Sequence, residues 1–359
     1  MTMNLSGATV LITGGTGSFG STMAAALLAE GVAQVRILSR DEAKQDDLRR
    51  RLRDERMRFY VGDVRDLNSV EDATRGVDKV FHAAALKQVP SCEFFPSQAV
   101  LTNVTGSHNV IEAAHRYGVG SVVLLSTDKA VYPINAMGMT KALMEKTAQA
   151  FARNNPESET VVSVVRYGNV LHSRGSVVPL FLEQLHAGRA MTITNPSMTR
   201  FLMSLQQSVD LVRHALQHAE PGDLFVRKAP AATIDALATG VAQLAGYEPR
   251  TSLIGTRHGE KLFETLLSSE ELLRAEDHGA YYRVPLDARS LNYGLFFEEG
   301  ETHQTPDDYT SHNTEQLDAD GVVRLLRSVP EVMAALSDDE RNRQERSLSA
   351  VSAGYGASA

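Results

Sequence analysis

Three glycines spaced Gly14-x-x-Gly17-x-x-Gly20 follow directly on an apolar, β-branched run, Ala8–Thr13, and precede an Ala/Leu-rich stretch, Ser21–Glu30. The run predicts a buried parallel strand and the stretch after it a helix. Glycines at such a junction let the backbone approach a pyrophosphate, while the helix N-terminus supplies amide donors and the positive end of its dipole. Gly31 punctuates the helix, and Val35–Leu38 predicts a second strand, which completes the context this motif needs. A nucleotide-binding α/β fold is the first expectation, with Gly14, Thr16, Gly17, Ser18, Phe19 and Gly20 as the loop that meets the cofactor.

Further strands are expected at Arg58–Val61, Lys79–Ala83, Ser121–Leu125 and Val161–Arg166, with helices between them and a long one from about Ala136 to Arg153. Strands alternating with helices over roughly 170 residues predict a doubly wound parallel sheet of the Rossmann type. After Asn169 the alternation loosens around Pro179, Pro196, Pro230 and Pro249, as in a smaller α/β lobe closing over a ligand at the carboxyl edge of the sheet. We therefore divide the chain into a cofactor domain, 1–170, to which roughly 203–228 returns, and a substrate lobe with C-terminal extension, 171–202 and 229–336. The Ser/Ala/Gly-rich tail, 337–359, is expected to be disordered.

Composition narrows the function classes. A chain of 359 residues with 43% apolar and 22% charged residues is an ordinary globular protein with a sizeable core. A net charge of −8 argues against a nucleic-acid or membrane-surface role. The single cysteine, Cys92, excludes an intramolecular disulfide framework, and neither it nor the scattered histidines suggest a metal site. The first basic residue is Arg36, and no stretch resembles a secretory signal or a transmembrane helix, so a cytoplasmic enzyme is expected.

The end of the second strand bears on the cofactor. Arg40 follows Gly20 at the distance where an acidic side chain against a ribose 2′-hydroxyl would mark NAD. Ser39 and Arg40 instead offer a hydroxyl and a cation suited to a 2′-phosphate, which favours NADP over NAD; Asp41 is the counter-indication. Asp63, in Val61-Gly62-Asp63-Val64, is a candidate adenine contact.

Several longer motifs follow in order: Ser39-Arg40-Asp41-Glu42, His82-Ala83-Ala84-Ala85-Leu86-Lys87-Gln88-Val89-Pro90 and Ser126-Thr127-Asp128-Lys129. Later come Arg166-Tyr167-Gly168-Asn169-Val170, Met198-Thr199-Arg200-Phe201 and Gly255-Thr256-Arg257-His258-Gly259-Glu260-Lys261. From about Leu5 to the segment around Leu336, this set resembles the extended short-chain dehydrogenase/reductase family. Within it the chain is most similar to the soluble, inverting UDP-N-acetylglucosamine 4,6-dehydratases of bacterial capsule and flagellin sugar pathways, the capsular branch in particular. The family's Tyr-x-x-x-Lys pair falls at Met137 and Lys141, so the lysine is present and the phenol is replaced by a side chain that carries no proton.

The resemblance implies a 4,6-dehydration in which hydride leaves sugar C4 and later returns to C6. A base removes the C5 proton, an acid helps the C6 hydroxyl leave as water, and C5 is reprotonated on the opposite face. Asp128 is assigned as the acid and Lys129 as the base, which a lysine can be near neutral pH only if burial or nearby cations lower its pKa. Thr127 is placed to orient the sugar oxygen, and Lys141 to bond the nicotinamide ribose. The group that takes the C4 hydroxyl proton is open among Asp128, Lys129 and a water. The resemblance also puts Lys44, Val64, Ala83 and Ala84 with the cofactor, and Lys87, Met137, Asn169, Arg174, Arg200, Arg257 and Glu260 around a UDP-sugar.

Relatives of this branch form closed assemblies, so a homo-oligomer, with a hexamer among the options, is expected, with residues 298–336 packing against a neighbouring subunit. Two other readings stand beside the leading one: a dehydratase that retains C5 or acts on another UDP-hexose, and a non-catalytic NADP-binding redox sensor.

Overall fold

The computed structural model describes residues 5–173, 175–256, 258–287 and 306–337. Arg174, Arg257, residues 298–305 and nearly all of the 337–359 tail lie outside the described residues. The first half of the chain alternates as expected. Strands β1 (Thr9–Thr13), β2 (Gln34–Ser39), β3 (Met57–Val61), β4 (Lys79–His82), β5 (Ser121–Leu125) and β6 (Val161–Arg166) are all parallel to their neighbours. Between them run α1 (Ser18–Ala29), α2 (Glu42–Leu52), α3 (Leu67–Thr74), α4 (Val89–Phe94), α5 (Pro96–Ala99), a π-helical stretch (Val100–Thr105), α6 (Gly106–Arg116) and α7 (Ala136–Asn154). Every residue of β5 is buried, as a strand covered by helices on both faces must be.

Helix α1 begins three residues earlier than the apolar pattern suggested, because the last loop glycine already belongs to its first turn. A Cβ on Gly20 would lie 2.4 Å from the Cα of Gly15, so the turn folds directly onto the loop. Gly14 has φ +66°, and a Cβ there would meet the backbone of Ala84 at 2.7 Å. The loop is thus clamped between two strand ends.

The second half supplies β7 (Asn169–Val170), α8 (Val177–His186), β8 (Met191–Ile193), β9 (Thr199–Met203), α9 (Leu205–His218), β10 (Leu224–Arg227), β11 (Ala231–Thr233), α10 (Ile234–Leu244) and β12 (Thr251–Leu253). It continues with β13 (Thr265–Leu267), α11 (Ser269–Arg274), β14 (Glu276–Asp277), β15 (Tyr281–Val284), β16 (Tyr309–Thr310) and α12 (Ala319–Arg327). The main sheet has nine strands in the order β14-β15-β10-β6-β5-β4-β1-β2-β3. Strand β10 pairs parallel with β6, while β15 pairs antiparallel with β10 and β14 antiparallel with β15.

Two expectations need correction. Residues 276–284, assigned to the substrate lobe, extend the edge of the main sheet, where Arg283 is held by Asp223 at 2.7 Å. The described part of 298–336 does not stand off as an extension awaiting a neighbour. Strand β16 pairs with β13, and Val322, Leu326, Val329 and Val332 are buried in the lobe core with α8 and α10. The apolar stripe of α12 already has a partner within its own chain.

Candidate active site

A cleft of about 470 Å³ opens at the carboxyl ends of β1, β2, β4 and β5, where a doubly wound sheet places its ligands. Gly14, Thr16, Gly17, Ser18, Phe19 and Gly20 line it, as do Ser39, Arg40, Lys44, Asp63, Val64, Ala83, Ala84, Lys87, Thr127, Lys129, Met137 and Lys141. Gly17 is the N-cap of α1 and gives no side-chain cap, so the first N–H groups of the helix remain available to a phosphate. The residues present fit a dinucleotide. Asp41 turns out to be the N-cap of α2: its carboxylate accepts from the Lys44 N–H at 3.0 Å and pairs with the Lys44 ammonium. Arg40 is half exposed and lies 3.6 Å from Asp63. Burial pushes the Asp63 carboxyl up, but hydrogen bonds from Arg65 outweigh it and the net direction is down.

At the end of β5 the chain turns through a short 3-10 segment, Asp128–Ala130. Helix α7 packs against this turn so closely that a Cβ on Gly138 would fall 2.2 Å from the Lys129 carbonyl oxygen. Asn135 caps α7 by accepting from the Gly138 N–H at 2.8 Å and donates to the Gly259 carbonyl at 3.0 Å, tying the helix start to the lobe. Asp128 is fully buried. Its Oδ1 accepts from Lys129 Nζ at 2.9 Å and from Thr127 Oγ1 at 2.8 Å, while its Oδ2 makes no hydrogen bond among the described residues. Thr127 therefore spends its proton on Asp128.

The reasoning from sequence missed Glu264, the second carboxylate on Lys129. Its Oε1 lies 3.4 Å from Lys129 Nζ and 3.9 Å from Arg200 Nε, and its Oε2 is 3.9 Å from Lys261 Nζ without a hydrogen bond. Burial pulls the Lys129 ammonium down, but Asp128 and Glu264 together raise it above the ordinary lysine value. The lowered pKa that a lysine base requires is thus not met by the protein groups around Lys129. Burial also pushes Glu264 up, against Lys129, Arg200 and Lys261. Both directions keep protons in the cluster.

Lys141, by contrast, is lowered to about 8 by burial, with Glu145 partly offsetting, and donates to the Leu125 carbonyl at 2.7 Å. Met137 is buried beside Cys92 and Ala99. Tyr167 also lines the cleft, its phenol raised by burial and by Asp128.

A second cleft of about 480 Å³ adjoins the first and is lined by Asn169, Val170, Pro179, Phe181, Arg200 and Glu260 among others. Asn169 Oδ1 is buried without a hydrogen-bond partner among the described residues. Arg200 donates to the Thr199 carbonyl at 2.8 Å and the Lys261 carbonyl at 2.9 Å, which fixes its guanidinium in the wall of the second cleft. The structure thus brings Thr127, Asp128, Lys129, Met137 and Lys141 together, and Asn169, Arg200 and Glu260 beside them.

Comparison with known proteins agrees with this geometry. Residues 10–286 match the polysaccharide biosynthesis protein family, and residues 287–333 match the polysaccharide biosynthesis protein C-terminal family. A protein of Rickettsia akari (strain Hartford) named UDP-glucose 4-epimerase is 52% identical over 335 residues, 92% of this chain and 98% of that protein. Its counterpart in Rickettsia bellii (strain RML369-C) is 53% identical over the same span. Among solved structures, Pen from Bacillus thuringiensis is 33% identical, covers 90% of this chain and 99% of its own, and superposes with a TM-score of 0.82. The dTDP-glucose 4,6-dehydratase DesIV from Streptomyces venezuelae, solved with NAD, is 24% identical with a TM-score of 0.65 over 71% of this chain and 86% of its own, a likeness of fold. The chain therefore belongs to the polysaccharide biosynthesis protein family, within the extended short-chain dehydrogenases/reductases that comprise nucleotide-sugar dehydratases and epimerases.

Proposed function

We propose that the protein is an NADP-dependent UDP-N-acetylglucosamine 4,6-dehydratase that also inverts C5. It would be a cytoplasmic hydro-lyase supplying surface polysaccharide or glycoconjugate biosynthesis, acting as a homo-oligomer. The observation that carries this reading is the buried Asp128–Lys129 pair at the end of β5, whose lysine lines the dinucleotide cleft together with a methionine where a phenol would stand. A bound nicotinamide cofactor would supply reversible hydride storage.

The chain's own residues account for the rest. The glycine loop and the open amides of α1 would hold the pyrophosphate, Asp63 and Val64 the adenine side, and Ser39, Arg40 and Lys44 the 2′-phosphate. Lys141, anchored on the Leu125 carbonyl, would bond the nicotinamide ribose. Lys87, Met137, Asn169, Arg200 and Glu260 would line the UDP-sugar path, with Arg174 and Arg257 nearby in sequence. Lys129 rests as an ammonium. Transfer of one proton along its 2.9 Å bond to Asp128 would create the base for C5 and the acid for the C6 hydroxyl in a single step.

A second reading is a UDP-sugar 4-epimerase, favoured by the names of the Rickettsia relatives. Epimerisation at C4 needs hydride removal and return, and no acid–base pair for C5 and C6. The Asp128–Lys129 pair is more than that reaction uses, which supports dehydration. Incubation with UDP-N-acetylglucosamine decides between them. A product lighter by one water, with ring couplings in its proton NMR spectrum changed by C5 inversion, is expected. An isomer of unchanged mass would establish the epimerase, and unchanged couplings with water loss would mark a C5-retaining enzyme. Cofactor binding with no turnover of any UDP-hexose would leave a redox sensor.

A further inference from the structure

Glu264 has no part in the chemistry assigned above, yet it is 2% exposed and ends in the middle of the reactive cluster. Burying an ionised carboxylate is costly unless charges and hydrogen bonds compensate. Those around Glu264 are three cations from three places: Lys129 at 3.4 Å, Arg200 at 3.9 Å and Lys261 at 3.9 Å. Its own backbone is fixed, since Ser311 Oγ accepts from the Glu264 N–H at 2.9 Å and the Ser311 N–H donates back to the Glu264 carbonyl at 2.8 Å. Immediately after it, β13 is buried throughout. The carboxylate is held in place by rigid structure rather than drawn in by its partners.

We propose that Glu264 is a positioning residue that decides when Lys129 gives up its proton. Its effect on the chemistry runs through Lys129, which lines the cleft, whereas the buried Glu264 does not. An ionised Glu264 holds Lys129 as an ammonium and opposes proton transfer to Asp128. When Glu264 carries a proton of its own, that restraint is gone and the same transfer becomes easier. The groups facing the cluster are Asp128 on its own turn, Arg200 from β9, Lys261 from the lobe loop, and Tyr167 near Asp128, with His312 beyond Thr199. Lys129 and Glu264 therefore titrate as one unit rather than as two independent groups. Arg200 links this unit to the second cleft, so an anionic substrate group there acts on the same carboxylate. The proposal rests on the dehydratase reading for its kinetic readout but not for its electrostatic one.

The test follows the Lys129 side chain by NMR in protein labelled at lysine Cε, with Lys129→Arg to assign the signal and NADP present throughout. Glu264→Gln removes an anion without changing shape and leaves Arg200 and Lys261 unneutralised. Both changes should drop the Lys129 titration by roughly one pH unit or more. The acid limb of C5 deuterium exchange from UDP-N-acetylglucosamine should move to lower pH with it. Glu264→Asp keeps the charge but lengthens the contact, so a smaller shift in the same direction is expected. A Lys129 titration in Glu264→Gln that coincides with wild type overturns the proposal. If Glu264→Gln does not fold, an unmoved titration in Glu264→Asp overturns it equally. A wild-type protein that exchanges no C5 proton, but whose Lys129 titration still drops in Glu264→Gln, refutes the dehydratase reading and supports the role of Glu264.

Discussion

Two buried ionic clusters lie on either side of the 264–271 segment, and they are built on opposite principles. In one, Arg166 at the end of β6 donates to both oxygens of Glu145, at 3.1 and 2.6 Å, to both oxygens of Glu271, at 2.8 and 3.1 Å, and to the Leu266 carbonyl at 2.8 Å. Ser126 adds a further hydrogen bond to Glu145 at 2.5 Å. In the other cluster, Asp128 Oδ2 and Glu264 Oε2 have no hydrogen bond, and the cations stand at 3.4 to 3.9 Å from Glu264. A satisfied network fixes α7, β6 and the lobe relative to one another. An unsatisfied one, on different elements, is poised to exchange protons. Completeness of hydrogen bonding separates scaffold from site here, more clearly than burial or charge.

The contrast breaks first at Arg166. Arg166→Ala would leave Glu145 and Glu271 buried without their cation, at a cost of about 3–5 kcal/mol of folding stability. Denaturant unfolding should show the loss, and a change below about 1 kcal/mol would mean that this cluster is not the scaffold.

Lys129→Ala should do the reverse. Arg200 and Lys261 stay beside Glu264, so the loss of folding stability should be smaller than for Arg166→Ala, while water loss and C5 exchange fall by about 10²–10⁴-fold. NADP affinity should survive, since the glycine loop and Lys141 are untouched. A variant that still exchanges the C5 proton near the wild-type rate would move the base to another residue, with Asp128 the first to examine.

Lys141 sits between the two clusters, one turn before Glu145 on α7, and sharpens the comparison through pH. Burial lowers it from 10.5 to about 8 in the folded protein. Between those values the unfolded chain binds the proton that the folded chain has lost, so stability should rise as pH climbs through this window. The upper bound is about 3 kcal/mol. Lys141→Met should flatten that slope when unfolding is compared between pH 7 and 10; an unchanged slope would mean that Lys141 is not the group responsible.

Much of the scaffold was legible because its signals are local. The glycine spacing, the buried run of β5 and the helix starting at Ala136 each occupy one short window of sequence, and each stands where it was expected. Asp128 and Lys129 were legible as neighbours at a strand end. Glu264 was not, since it meets Lys129 only through a fold that joins residues far apart in the chain, and Phe263-Glu264-Thr265 reads like any strand edge. The available signal was a lone carboxylate opening the apolar run Leu266-Leu267, three residues beyond the quoted Gly255–Lys261 motif. Arg166 and Glu145 were hidden in the same way: a strand arginine and a helix glutamate each look solvated until the sheet buries them. The C-terminal segment misled for another reason, because the amphipathic stripe of α12 announces that it needs a partner without saying whether that partner is the same chain.

The smallest expected effect lies at the rim of the cofactor cleft, where charge is exposed rather than buried. Arg40 is the cation placed for a 2′-phosphate, but its side chain is 55% exposed and already lies 3.6 Å from Asp63. Solvent screens such a contact, and Asp63 competes for it, so the preference it confers should be modest. Asp41, the acid that spoke for NAD, is committed to capping α2 and to Lys44, and so opposes a 2′-phosphate less than its position in the sequence suggested. Arg40→Asp should therefore weaken NADP by about 1–2 kcal/mol while leaving NAD nearly unchanged. Titration calorimetry with both cofactors checks this, and the difference should shrink as salt is raised. Wild-type protein that binds NAD at least as tightly as NADP would remove Arg40 from the cofactor's recognition. The buried clusters, whose charges salt reaches poorly, should be indifferent to the same change of ionic strength.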